Sequence, residues 1–303
     1  MQNHEETNSY KGTILLLLAA LVWGVGLSGQ AQGMEFMGPL SFSACRITLG
    51  GASMLPLAMI LDRLQRRKNP EFSSAADYRK ALGPALICTP PILACILAQQ
   101  YALQYTGAGK CAFITAFYIF LVPLIGLLLG KRVSLRMWIA VALAVLGLYM
   151  ITMSTGFGNI NRGDALSLLA AVTYAIYLHA VEHYGRDVDT VKFSMIQFLA
   201  MGLVCFIPAV IFEPGQITWS SYLGSIVPIV YTGIVSCAGG YTLQILGQKY
   251  TDPNRSAMIL SSETVISLLA GMVILHEVLM IREYIGCLVM VIAIVIAVLP
   301  KRA

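Results

Sequence analysis

Hydrophobic residues run along this chain in blocks of about twenty, separated by short polar stretches. The blocks fall at about 12–32, 39–61, 80–103, 108–130 and 134–153, then at 163–183, 191–212, 222–246, 254–275 and 282–300. Each approaches the ~20 residues that a helix needs to cross ~30 Å of hydrocarbon. No run shows the alternation of a lipid-facing strand, and a backbone in lipid must satisfy its polar groups within helices or a closed barrel. The pattern predicts an all-α membrane protein with ten transmembrane helices.

Composition narrows the class further. Of 303 residues, 57% are apolar and only 12% are charged, about half the charge of a soluble domain. A soluble enzyme, a disordered chain and a nucleic-acid-binding module are excluded as classes. The net charge of +5 does not point to nucleic acid, because the cations sit in short loops, where they report orientation. With the amino terminus placed in the cytoplasm, sixteen Lys and Arg fall on the inner side. Three (Lys110, Arg162 and Arg282) fall on the outer side, and Arg46 lies within a helix. The expectation is a multi-pass protein of the cell membrane with both termini cytoplasmic. A cleaved signal peptide fits the first block poorly: Lys11 is its only basic residue, and the apolar run is long. The seven cysteines lie inside apolar blocks and form no CxxC pair. They are expected as buried thiols, with no disulfide framework and no metal site.

The chain also matches itself. At an offset of 151, Gly12, Leu15, Leu17, Leu18, Ala19 and Ala20 are identical to their partners, Lys11 meets Arg162, and Trp23 meets Tyr174. At an offset of 145, Gln99 meets Gln244, Tyr105 meets Tyr250, Thr106 meets Thr251, Lys110 meets Arg255, and Gly126 meets Gly271. Leu and Ala matches between membrane helices are cheap, whereas Gln, Tyr-Thr and basic matches are not. The expected organisation is two five-helix repeats, residues 1–153 and 162–303. Because five is odd, the second copy enters from the opposite face, which makes the repeats inverted, as in many secondary transporters.

On these residues the chain resembles the drug/metabolite transporter superfamily, in its ten-helix EamA-type branch. The most specific stretch is YTGAGKCAFITAFYIFLVPLIGLLLGKRVSLRMW (105–138), joined by Trp23-Gly24, by Arg46 and by RSAMILSSETVISLLAGMVILHE (255–277). The resemblance implies a central cavity and export of small metabolites, amino acids or amphipathic compounds. In one respect the chain departs from the family: Thr264 stands in place of the Pro of a Glu-Pro-Val stretch, which removes the residue expected to break that helix.

A charge inside the hydrocarbon is a functional candidate by default. Glu263 lies ~14 Å deep from the inner side and Arg46 ~10 Å from the outer side, at 1.5 Å per residue. Glu263 is a candidate for binding substrate charge or coupling protons, with Arg46 as its partner; the alternative is a structural ion pair. Gln99 and Gln244 are candidates for polar substrate contacts or for helix locking. Trp23, Tyr174, Tyr177 and Tyr118 are candidates for an aromatic wall, with ordinary packing as the alternative. Gln30 and Gln32 are expected at the membrane interface. Pro90-Pro91 and Gly233, Gly239 and Gly240 mark candidate bending points in the third and eighth helices.

Enzyme readings fail on geometry. Gly26-Leu-Ser-Gly29 carries the Gly-x-Ser-Gly pattern of intramembrane serine proteases, but the topology puts Ser28 and His179 near opposite faces. His276-Glu277 lacks the second His of a zinc-protease motif. Gly107-Ala-Gly-Lys-Cys111 is no phosphate loop, since the preceding Gly and the Ser/Thr are missing. The reading is a cofactor-free secondary transporter, an exporter working by alternating access. Its partners are the bilayer, a small molecule and, as a candidate coupling ion, the proton. A monomer and a homodimer both fit. A non-transporting sensor or scaffold and a gradient-independent facilitator are the alternatives.

Overall fold

The computed structural model describes residues 2–69, 71–152, 160–274 and 280–299, all helix and connecting turn with no strand among them. The helices are α1 (Gln2–Gly33), α2 (Pro39–Lys68), α3 (Ser74–Ala102), α4 (Ala108–Thr115), α5 (Tyr118–Leu128), α6 (Leu135–Thr152) and α7 (Arg162–Tyr184). They continue as α8 (Thr190–Phe212), α9 (Trp219–Gly224), α10 (Ile226–Val230), a π-helix (Tyr231–Tyr241), α11 (Thr242–Gln248), α12 (Pro253–Leu260), α13 (Ser262–Ile274) and α14 (Ile281–Val298).

Eight helical stretches are long and apolar enough to cross a membrane: Pro39–Lys68, Ser74–Ala102, Gly109–Leu128, Leu135–Thr152, Arg162–Tyr184, Thr190–Phe212, Ile226–Gln248 and Ile281–Val298. Tyr10–Gly26 is a shorter apolar stretch. The predicted block 254–275 is divided instead between α12 and α13, so it is not one continuous span. Thus the protein is a multi-pass helical membrane protein. Its outward surface is rich in exposed Leu, Ile and Val, such as Leu203, Ile207 and Val227, as acyl-chain contact requires.

Local chemistry sets the helix starts. Pro39 and Pro253 occupy first turns, where a missing N–H costs nothing. Asn161 and Asp164 form a capping box at the start of α7. The Asp189 carboxylate accepts from the Lys192 amide at 2.9 Å to start α8.

Packing pairs the helices in a regular way. α2 lies along α8 and α6 along α14; α3 lies along α7, while α1 lies along the π-helix and α11. Glycine allows the closest approaches. A Cβ at Gly147 would sit 2.9 Å from the Gly286 carbonyl oxygen, and one at Gly286 would meet the Gly147 carbonyl at 2.9 Å. These neighbours are backbone and cannot step aside. Gly147→Val is therefore expected to force α6 and α14 apart and to cost about 1–3 kcal/mol. The readout is the melting temperature of the detergent-purified protein; an unchanged value would show that the pair is not packed through this glycine.

Two interruptions matter for the site. Between α4 and α5 the Ile119 amide donates to the Ala116 carbonyl at 3.1 Å, and between α12 and α13 the Thr264 amide donates to the Ser261 carbonyl at 3.2 Å. Both are i→i−3 bonds that tighten the helix locally. Neither has Pro at the break. In the second, the Ser261 and Ser262 hydroxyls donate back to the Met258 and Ile259 carbonyls at 2.6 and 2.7 Å, and such back-bonding bends helices. The absence of Pro at position 264 thus does not leave this helix unbroken.

Candidate functional site

A cavity of ≈ 70 Å³ opens beside these interruptions. It is lined by Trp23, Gln30, Arg46, Cys95, Ile96, Gln99, Thr115, Tyr118, Tyr174, Ser236, Tyr241 and Glu263. That volume holds a few waters, far below the ~300–1,000 Å³ of a typical ligand pocket. Six of the eight residues singled out in the sequence meet here: Glu263, Arg46, Gln99, Trp23, Tyr118 and Tyr174.

Glu263 sits in the first turn of α13, just past the interruption at Ser261. Gly24 makes its placement possible, since a Cβ there would lie 2.8 Å from the Glu263 carbonyl oxygen. The Trp23-Gly24 pair therefore has two jobs. Trp23 supplies a wall, and Gly24 lets α1 reach the backbone of α13.

The wall is built from rings. Trp23 packs at a tilt against Tyr241 with centroids 4.7 Å apart, and its indole N–H donates to the Ser236 carbonyl at 3.2 Å. Gly240 leaves room for that indole: a Cβ would stand 2.4 Å from Trp23 Nε1. Tyr118 meets Tyr174 edge to face at 4.8 Å.

Arg46 is 4% exposed. Its Nη2 donates to Gln100 Oε1 at 3.3 Å and its Nη1 to Cys237 Sγ at 3.8 Å, while Nε has no hydrogen-bond partner. The structural ion pair weighed as the alternative for Arg46 and Glu263 is not formed; among the described residues neither side chain makes a salt bridge within 4.0 Å. The two charges face one cavity from different walls, each held by its own helix.

Gln244 and Tyr177 lie behind the cavity. Gln244 is fully buried, accepts from the Tyr174 hydroxyl at 3.2 Å and donates to Gln248 at 3.1 Å. Its amide orients Tyr174. Tyr177, also fully buried, donates to Gln197 at 3.1 Å. Gln30, expected at the interface, lines the cavity instead, while Gln32 is exposed. Sequence reasoning missed Thr115, Ser236 and Tyr241. Tyr241 follows the Gly239-Gly240 pair and is the last residue of the π-helix, whose wider turns change which side chains share a face. A signal for Tyr241 was within reach, because it lies at the offset of 145 from Ile96, another lining residue.

Of the Ser28–His179 pair and His276-Glu277, the structure describes only the His179 side chain. His179 donates from Nε2 to the Val122 carbonyl at 2.9 Å, with Nδ1 3.7 Å from Glu182. The Ser28 side chain and His276-Glu277 lie outside the described residues. Among the described residues no three His, Cys, Asp or Glu side chains gather as a metal site.

A family model, described as the EamA-like transporter family, matches residues 10–153 and again residues 161–299. The chain belongs to the EamA-like transporter family. Two relatives of this EamA-like transporter, both called uncharacterized transporters of Archaeoglobus fulgidus, are 25% and 22% identical. They cover 93% and 91% of this chain and 83% and 94% of their own lengths. The uncharacterized transporter YwfM of Bacillus subtilis is 23% identical over 96% of this chain and 95% of its own. One solved crystal structure, 19% identical, superposes with a TM-score of 0.75 over 94% of this chain and 96% of that one; at that identity it bears on the fold alone. The protein is thus a membrane transporter. An EamA-like transporter has the bilayer as its surroundings and a small molecule as its substrate.

Proposed function

We propose that the protein is a secondary transporter of ten membrane-crossing segments, in two inverted halves, that exports small metabolites or amino acids by alternating access. Both termini face the cytoplasm in this reading, from the sixteen-to-three distribution of cations. Its coupling ion is the proton.

The observation that carries the reading is the pair of helix interruptions. Ala116 and Ser261 stand at the offset of 145 that relates the halves, and so do Ile119 and Thr264, whose amides make the tightening bonds. Tyr118 and Glu263 share that offset and both line the cavity. Trp23 and Tyr174, at an offset of 151, also both line it. Discontinuous helices at a repeat interface, flanking a buried charge, are how many secondary transporters build a central site. Helix packing agrees: α1 beside α11 and the π-helix repeats the relation of α7 to α3, while α2–α8 and α6–α14 pair like with like.

The ends of the cavity-lining helices are closed in related ways. A Cβ at Gly12 would strike the Thr251 hydroxyl at 2.2 Å, and one at Gly163 would meet Thr106 Cβ at 3.0 Å. One end adds an ion pair, in which Lys110 donates to Asp164 at 2.5 Å.

Arg46 and Glu263 offer opposite charges across one small cavity without neutralising each other. That suits a zwitterion, its carboxylate toward Arg46, its ammonium toward Glu263 and its side chain among the rings. In proteoliposomes loaded with labelled amino acids and amines, efflux is expected for at least one zwitterion and is expected to rise with an imposed proton gradient. Efflux indifferent to the gradient would make the protein a facilitator. Movement of amines but no zwitterion would overturn the substrate class.

A further inference from the structure

Where α5 turns into α6, at the bundle end away from Arg46, lies a second recess of ≈ 260 Å³. Four of its lining residues are cations, Lys131, Arg132, Arg136 and Arg255, and two are carboxylates, Glu182 and Asp252. Both carboxylates are engaged already. Glu182 pairs with Lys131. Asp252 lies 3.5 Å from Arg255 Nε and also accepts the first amides of α12 at 3.1 Å. The lining keeps a formal excess of two positive charges.

The basic turn is held rigidly. Gly130 adopts a φ of +77°, and the Lys131 amide donates to the Gly126 carbonyl at 2.8 Å while the Gly130 amide donates to Leu127 at 2.9 Å. This is the bonding of a glycine-terminated helix end, and it presents Lys131 and Arg132 at a defined place.

A larger recess of ≈ 700 Å³ adjoins the first and shares Lys131 and Glu182 as a wall. Ile125, Leu129, Ile176 and Ala180 form an apolar wall on one side of it, and His179, His183, Tyr184, Arg186 and Asp187 line the rest; Leu129 and Ile176 are 60% and 44% exposed. In a membrane-spanning chain such exposed apolar side chains meet acyl chains. A basic recess and a groove with one apolar wall, divided by one ion pair, have the shape of an amphiphile.

We propose that the basic recess binds the phosphate of an anionic phospholipid, whose acyl chain lies in the adjoining groove. Guanidinium groups match phosphate oxygens in a fork geometry, and basic recesses between membrane helices are suited to anionic headgroups. A soluble phosphate shares the headgroup chemistry but leaves the groove unused, which favours the lipid. The proposal does not depend on which substrate the central cavity carries.

The test is native mass spectrometry of the detergent-purified full chain equilibrated with phosphatidylglycerol, with phosphatidylcholine, or with inorganic phosphate. Phosphatidylglycerol is expected to stay bound and phosphatidylcholine is not. The double variant Arg132→Gln with Arg136→Gln is expected to weaken phosphatidylglycerol binding about thirtyfold, the order expected for two basic groups at a headgroup. Arg66→Gln with Arg67→Gln, which removes the same charge from the last turn of α2, should leave binding unchanged. If the first double variant does not elute as a monodisperse peak, Arg132→Gln alone decides, since that side chain is exposed; it should show a smaller loss of the same sign. Equal retention of both lipids, or equal loss in the two double variants, would reduce the recess to diffuse charge and overturn the proposal. Inorganic phosphate that displaces the lipid at comparable concentration would assign the recess to a soluble anion and overturn it as well.

Discussion

Replacing Glu263 with Gln is expected to abolish gradient-driven flux while leaving the fold intact. The side chain lines the central cavity and, among the described residues, pairs with no cation. Gln has the same shape and can still accept a hydrogen bond, and the approach of Gly24 to the residue-263 carbonyl is kept because it is a backbone contact. What it cannot do is ionise. If Glu263 meets a substrate ammonium, losing that desolvated charge contact should cost about 2–5 kcal/mol, on the order of thirtyfold to several thousandfold in flux at limiting substrate. If Glu263 carries the coupling proton, the gradient loses its handle instead. Counterflow exchange separates the two roles, because it needs substrate binding but no gradient. Counterflow retained with gradient-driven flux lost assigns coupling, and loss of both assigns binding. Gradient-driven flux equal to wild type would remove Glu263 from the site.

The second large effect is expected at Lys192, far from the cavity. Its side chain is 2% exposed and its ammonium lies 2.8 Å from Asp62 and 3.1 Å from Asp77. The Phe72 and Tyr78 rings stand 5.0 and 5.1 Å away, and Ser74 donates to Asp62. One cation therefore ties together α2, α3 and α8. Lys192→Met would fill the space but leave two carboxylates facing each other. Breaking a fully buried pair costs about 3–5 kcal/mol. Asp77 is 35% exposed and water can relieve it, so roughly 2–3 kcal/mol is the expected loss. The melting temperature should fall clearly, and adding Asp62→Asn and Asp77→Asn should restore most of it. A melting temperature that stays level in Lys192→Met would mean that the triad contributes nothing to stability.

Lys192 shows where the sequence stopped being legible. In the chain it is one more cation on the inner side, useful only for orientation. Its burial depends on two carboxylates 130 and 115 positions away, which no local pattern connects. The apolar blocks were legible because crossing hydrocarbon leaves a chain little choice of composition. Much of the cavity was legible too, because Glu263, Arg46 and the repeated aromatic positions are residue types that a lipid-facing surface excludes. The interruptions were not. Breaks are read from Pro or Gly, and the chain uses serine hydroxyls at Ser261 and Ser262 in one case and an i→i−3 turn at Ala116 in the other. Gln99 and Gln244 look equivalent in sequence, yet only Gln99 faces the cavity, because Tyr174 takes the amide of Gln244. Arg46 and Glu263 are close in depth, but depth says nothing of azimuth, and the ion pair that depth alone would allow does not form.

Azimuth is also what the π-helix controls. In an α-helix each residue advances about 100° around the axis, and the wider i→i+5 turn advances less. Any change from one bonding pattern to the other across Tyr231–Tyr241 therefore winds the helix, so that α10 turns like a screw relative to α11. Two neighbouring residues of α1 grip this segment: the Val22 carbonyl accepts from Tyr231 at 3.0 Å, and Trp23 donates to Ser236 at 3.2 Å. The glycines at 233, 239 and 240, read from sequence as bending points, sit inside this π-helical segment, where a change of bonding pattern would turn the helix rather than bend it.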